Sequence, residues 1–190
     1  MVGWFEKARR LQRHHESSPF EAFIYLWISF NGWAACVTQL DIDRQWVSCL
    51  ANDEEIADDF SHAIATVPDL SIAAQRFHAY WPIFEVRHLR RRELLWHGLK
   101  DRSAIIKHYI ANGATECEPR CAIRHLQANE PIPLDWPHTV NALYRVRCNL
   151  FHGEKSLQSE DDESIVSAAL ACLLLYLGSG RLAKLAPGAA

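Results

Sequence analysis

This chain has no surplus of positive charge: 20 Lys and Arg stand against 23 Asp and Glu, a net charge of −3 over 190 residues. A long, sequence-independent nucleic-acid groove needs an excess of cations facing phosphate. The balance counts against that class, but not against a small cleft with a local basic patch. No uninterrupted apolar run approaches the roughly 20 residues of a membrane span; the stretch 165–177 is short and carries Ser167. The opening Trp4-Phe5-Glu6-Lys7-Ala8-Arg9-Arg10 is amphipathic, unlike a secretory leader. A cytoplasmic location with no membrane attachment is therefore expected. The six cysteines (Cys36, Cys49, Cys117, Cys121, Cys148, Cys172) lack the spacing of a disulfide-stapled scaffold, which points to reduced thiols. There is no internal repeat, low-complexity segment or phosphate-cradling glycine loop. What is present is an ordinary globular balance, 49% hydrophobic and 23% charged.

The patterning is helical throughout. Residues 3–15 put Trp4, Phe5, Ala8 and Leu11 on one face. Glu16-Ser17-Ser18-Pro19 breaks that helix and caps the next, with Pro19 in the first turn. Residues 19–39 are apolar almost all round, the pattern of a helix buried in a core or a dimer interface. Asn31 is the polar exception, paired with the motif helix described below or bonded to backbone. Residues 41–50 read as a connector with a helical turn. Helices are expected over 53–66, opened by Asp53-Glu54-Glu55, and over 69–80, ended at Trp81-Pro82. Another spans 103–112 and stops at Asn112-Gly113, and a last one spans 162–177 before Gly178-Ser179-Gly180.

Two middle segments carry candidate chemistry. Arg87, Arg90, Arg91, Arg92, Lys100 and Arg102 make 82–102 the most basic stretch, interleaved with His88 and His97. It reads either as a contact for substrate phosphates, with Arg90 and Arg91 foremost, or as a solvated helical face. Cys117, Cys121 and His125 recur at four-residue spacing, which on a helix gathers two thiols and an imidazole on one side. Such a trio is either a zinc-like set lacking an obvious fourth ligand or, as usual for helical cysteines, small buried groups. No metal or cofactor is assigned.

The densest chemistry lies in residues 142–155, which place Arg145, Arg147, Asn149 and His152 within eight positions at the end of a helix. Asp135 is placed to cap that helix, Pro137 sits in its first turn and Gly153 can close it. Leu143, Val146 and Leu150 face a core, and at roughly 100° per residue Arg145, Asn149 and His152 fall together on another side. Arg147 falls close to the apolar stripe, where a guanidinium needs a partner. Histidine exchanges protons near neutrality, arginine offers a fixed fork to phosphate, and asparagine can orient either. Together they suit metal-free attack of a ribose 2′-hydroxyl on its phosphodiester. The plainer reading is a helix terminus whose carbonyls are satisfied and whose arginines meet water.

Arg147-Cys148-Asn149-Leu150-Phe151-His152-Gly153 has the form Arg, four residues, His, and Arg145 gives a second match with six. The segment resembles the motif of the HEPN superfamily (higher eukaryotes and prokaryotes nucleotide-binding domain), in its bacterial branch with an arginine-rich Asn-Leu-Phe-His-Gly segment. The aromatic run 23–33 is similar to that branch's first long helix. The resemblance covers about a third of the chain, at its two ends. Cys148 stands where the family commonly has a polar residue.

The expected fold is all-α, a bundle of five to seven helices in one domain over 1–180, with a flexible tail over 181–190. The 19–39, 136–152 and 162–177 helices form its core and 40–130 is an elaboration. The resemblance implies a symmetric homodimer in which Arg and His from two subunits line one cleft, and many HEPN members cut RNA without metal. On that view His152 is the general acid/base, Arg147 stabilises the transition state, and Arg145 and Asn149 position the phosphate. Lys155, Arg90 and Arg91 add strand contacts. The products carry 2′,3′-cyclic phosphate and 5′-hydroxyl ends, and the partners are RNA and an antitoxin protein in a toxin–antitoxin or defence setting. The alternative is a non-catalytic nucleotide-binding or protein-interaction and dimerisation module, in which the arginines bind a partner or form internal ion pairs. Cys148 and the sequence pI near 6.4 favour it.

Overall fold

A computed structural model of the chain describes residues 2–13, 18–91, 101–113, 116–151 and 160–180. Among them are ten helices and one two-stranded antiparallel sheet, so the fold is all-α. The helices are α1 (Val2–Arg13), α2 (Pro19–Thr38), α3 (Asp43–Ala51), α4 (Glu54–Thr66), α5 (Pro68–His78), α6 (Val86–Arg91), α7 (Arg102–Asn112), α8 (Ala122–Ala128), α9 (Trp136–Phe151) and α10 (Glu160–Gly178). Their number exceeds five to seven because the middle of the chain breaks into six short helices. The expected tail, 181–190, lies outside the described residues.

Local chemistry accounts for the helix starts. Ser18 accepts a hydrogen bond from the Phe20 N–H at 3.3 Å, with Pro19 supplying the first helical residue of α2. Asp53 caps α4 through the Ile56 N–H at 3.1 Å, and Pro68 opens α5. Asp135 caps α9 through the His138 N–H at 3.0 Å, as its position in the sequence suggested. The α2 helix ends on Gln39, whose φ of 56° is the left-handed closure.

Most of the described buried side chains join one core. Phe30 and Trp27 of α2, Trp46 of α3, Phe60 of α4, Trp136 of α9 and Tyr176 of α10 meet ring to ring, with centroids 5.0–6.3 Å apart. Such offset and edge contacts add to the area each ring removes from water. The Trp136 indole donates to the Leu50 carbonyl at 2.8 Å, so the largest ring of α9 is buried without an orphaned polar atom. Leu70, Ala74 and Phe77 of α5 belong to the same cluster, so α3, α4 and α5 share the core with α2, α9 and α10. The α2 helix alone among the described helices is long and apolar enough to cross a membrane. Nine of its residues are instead buried in this fold, which is where its all-round apolarity is used.

A second, smaller cluster gathers Phe84, Leu89, Ile105, Tyr109, Cys117 and Ile123. It is organised by the hairpin of β1 (Ile83–Phe84) and β2 (Cys117–Glu118), paired Ile83 to Glu118 and Phe84 to Cys117. This corrects the helical placement of Cys117, Cys121 and His125. Cys117 is in the strand, Cys121 lies beyond Pro119 in the turn before α8, and His125 is inside α8. Proline cannot donate to a helix ladder, so the stretch bends instead.

Candidate functional site

Helix α9 is gripped from two sides, and its polar residues are what the grips hold. On the side facing the hairpin, Asn149 is 1% exposed. Its amide donates to the Phe84 carbonyl at 2.9 Å and accepts from the Val86 N–H at 3.4 Å. One helical turn earlier on the same side, Arg145 Nη1 meets Glu85 Oε2 at 2.8 Å. On the other side, Arg147 Nη2 meets Asp43 Oδ2, in the first turn of α3, at 2.7 Å. That carboxylate is the partner a guanidinium beside the apolar stripe requires. The Arg147 guanidinium also lies 4.6 Å from the Phe151 ring centroid and 6.0 Å from that of Tyr144. Phe151 is half exposed at the last position of α9.

The predicted residues therefore divide. The structure brings Arg145 and Asn149 together on one side of α9 and turns Arg147 to another. His152, Lys155 and the proposed cap Gly153 lie outside the described residues, as does the side chain of Arg90. Arg91 is exposed at the end of α6. Asn149, fully inside and engaged by backbone, has no surface to offer a phosphate. Arg145 and Arg147 are each four-fifths buried and paired, although the buried Nε of each has no hydrogen-bond partner.

Between α3, α9 and the β2–α8 turn lies an open cleft of about 790 Å³. Its α9 wall is Pro137, His138, Asn141, Tyr144, Arg145 and Cys148, a helical stripe. Opposite stand Arg44 and Ser48 of α3, and Glu116, Glu118, Arg120 and Cys121 of the hairpin and turn. The acids are matched by bases: Glu85 by Arg145, Glu116 by His88 at 3.3 Å, and Glu118 by Arg120 at 3.5 Å. Burial pushes the Glu118 carboxyl up, against the pull of Arg145 and Arg120. Burial, with Cys148 beside it, raises the Tyr144 phenol to about 12.

At one end of this cleft Cys121 Sγ lies 3.0 Å from His138 Nε2. The other ring nitrogen, Nδ1, lies 2.5 Å from Asp135 Oδ1. Asp135 is thus both the cap of α9 and the anchor of the imidazole. Burial tends to raise its carboxyl, but the hydrogen bonds from the His138 ring and N–H hold it below the ordinary carboxylate value. The His138 ring packs near Trp81, centroids 6.4 Å apart. Burial pushes the Cys121 thiol up, so it rests protonated at neutral pH. Cys117 is buried, with its thiol pushed up to about 12 by burial, and contacts the Pro119 carbonyl. His125 faces Glu130 at 3.5 Å. The supposed cysteine–histidine metal trio is therefore dispersed, and among the described residues no group of three or more His, Cys, Asp or Glu is arranged to hold a metal ion.

Sequence reasoning assigned Asp135 only as a cap and did not single out His138, Asp43 or Glu85. The Asp135-x-x-His138 spacing, one helical turn at a capped N-terminus, was the available signal for the first pair. No signal in the sequence pointed to the two arginine partners. No family model, no curated protein and no solved structure matches this chain.

Proposed function

We propose that this chain is a HEPN-like interaction module whose α9 motif does not cut RNA and whose α9 arginines hold its layers together instead of handling phosphate. The observation that carries this reading is the pairing of both arginines with carboxylates from other elements, Arg147 with Asp43 and Arg145 with Glu85. In each pair one guanidinium nitrogen is already committed to a carboxylate, which offsets the charge that a phosphate would meet. Asn149, third of the motif's polar residues, is committed to the backbone of Phe84 and Val86. The partner of such a module is a second copy of this chain, the symmetric dimer that the resemblance implies.

The deciding experiment is RNA cleavage in EDTA by the parent protein and by His152→Ala, with end-group analysis and sedimentation of the same samples. The expected outcome is self-association without cleavage, and Arg147→Ala that lowers thermal stability. Cyclic-phosphate ends that disappear in His152→Ala would overturn the proposal.

One observation favours the second reading, a metal-independent endoribonuclease. Arg147 keeps about a quarter of its side chain exposed and stacks on Phe151, the residue immediately before His152. In that reading Asp43 presents the Arg147 fork to the scissile phosphate, Arg145 supports it, and His152 moves the protons. Lys155, Arg90 and Arg91 would guide the RNA strand, and an antitoxin protein would cover the site.

A further inference from the structure

We propose that Cys121, His138 and Asp135 form a thiol–imidazole–carboxylate site that cleaves acyl bonds of polar esters or thioesters bound in the cleft between α3, α9 and the β2–α8 turn. The inference is independent of whether the end of α9 meets RNA. It stands on three features: the two contacts that link the groups in order, the cleft they open onto, and the polar lining of that cleft.

The order of contacts fixes the chemistry. An ionised Asp135 only accepts hydrogen bonds, so the Nδ1 facing it carries the imidazole proton. Nε2 then presents its lone pair to the Cys121 thiol at 3.0 Å, the arrangement of a nucleophile, a base and the group that orients the base. The three residues come from two elements. Asp135 and His138 are fixed by the first turn of α9, and Cys121 is delivered by the turn that Pro119 forces after β2. Cys121 is half-buried at the cleft wall, while a volume of about 790 Å³ is ample for a small polar molecule. Arg44, Ser48, Asn141 and Arg120 line that volume, which favours a polar acyl compound over a lipid.

The reaction balances with water as the only co-reactant. Cys121 Sγ attacks the carbonyl carbon as its proton passes to His138 Nε2. The tetrahedral intermediate collapses, the bond from carbon to the leaving oxygen or sulfur breaks, and His138 returns the proton to the leaving group. An acyl-thioester remains on Cys121. Water then gives a proton to His138 and its oxygen attacks the thioester carbon. The C–S bond breaks and the thiolate recovers its proton from His138, releasing the acid. Asp135 stays ionised throughout and acts as a positioning residue. Because the resting thiol holds its proton, attack without a base is slow, and removal of His138 has a large effect.

The full chain supplies its own controls, since Cys36 and Cys49 are exposed thiols that are not among the residues lining the cleft. The protein is mixed with p-nitrophenyl acetate, nitrophenol release is followed, and the acetylated cysteine is mapped by peptide mass. The expected result is a burst near one equivalent with acetyl on Cys121, lost in Cys121→Ser. His138→Asn should slow acetylation of Cys121 about 100-fold, within the range for a lost general base, and leave Cys36 and Cys49 unchanged. Asp135→Asn should slow it less, with Asp135→Glu restoring part of the rate. Acetylation of Cys121 no faster than that of Cys36 and Cys49 in the parent overturns the proposal without any variant. Equal rates in the parent and His138→Asn overturn it as well.

Discussion

Removing the Arg147–Asp43 pair measures how much of the α9 motif is structural. The pair is short, 2.7 Å, and its side chains keep 23% and 21% of their exposure, between a surface and a buried bridge. At about 4 Å between charge centres and an effective dielectric of about 20, attraction is about 4 kcal/mol. Desolvation of two ions takes back much of that. Exposed pairs retain about 0.2–1 kcal/mol, and losing one partner of a fully buried pair costs about 3–5 kcal/mol. At four-fifths burial, each single alanine should cost about 2–3 kcal/mol and the coupling should be about 1–2 kcal/mol. Arg147→Ala should be the costlier of the two, because it also removes the stacking on Phe151, worth about 0.5–1 kcal/mol. Asp43 lies in the first turn of α3, where a carboxylate also favours the helix end. A double-mutant cycle removes that contribution from the coupling. The assay is urea unfolding of parent, Arg147→Ala, Asp43→Ala and the double variant, and in thermal unfolding the melting temperatures of the singles should fall about 4–12 °C. A coupling below about 0.5 kcal/mol would refute the reasoning, because the arginine would then be free to meet another anion.

Three further outcomes follow from the same geometry. Asn149→Leu should destabilise by about 2–4 kcal/mol in urea unfolding, because it orphans the Phe84 carbonyl and Val86 N–H inside the protein. Trp136→Phe should cost about 1–3 kcal/mol in the same assay, since it removes the indole's hydrogen bond to the Leu50 carbonyl and leaves a void among Phe30, Phe60 and Tyr176. Asp135 is held below its ordinary pKa, so its contribution is complete above the unfolded carboxylate value and is lost as pH falls through the folded one. Asp135→Asn should therefore flatten the acid limb of stability against pH, read by urea titrations from neutral to acid.

What the sequence determined by itself is local. Ser18, Pro19, Asp53, Pro68 and Asp135 set helix starts because caps and first-turn prolines act within three or four residues. The apolarity of 19–39 determined that α2 would enter the core, where nine of its residues are buried, although Ile28 stays 38% exposed. The four-residue spacing of Cys117, Cys121 and His125 misled, since Pro119 stands inside it and a strand pairing with Ile83 and Phe84 won over helix. Tertiary structure alone decided the partners. Asp43 reaches Arg147, Glu85 reaches Arg145 and Cys121 reaches His138 because packing brings distant elements together, and periodicity reports a helix face without naming what meets it. The same residue types that suit phosphate chemistry also suit internal ion pairs, and the choice between them rests on which neighbour the fold supplies.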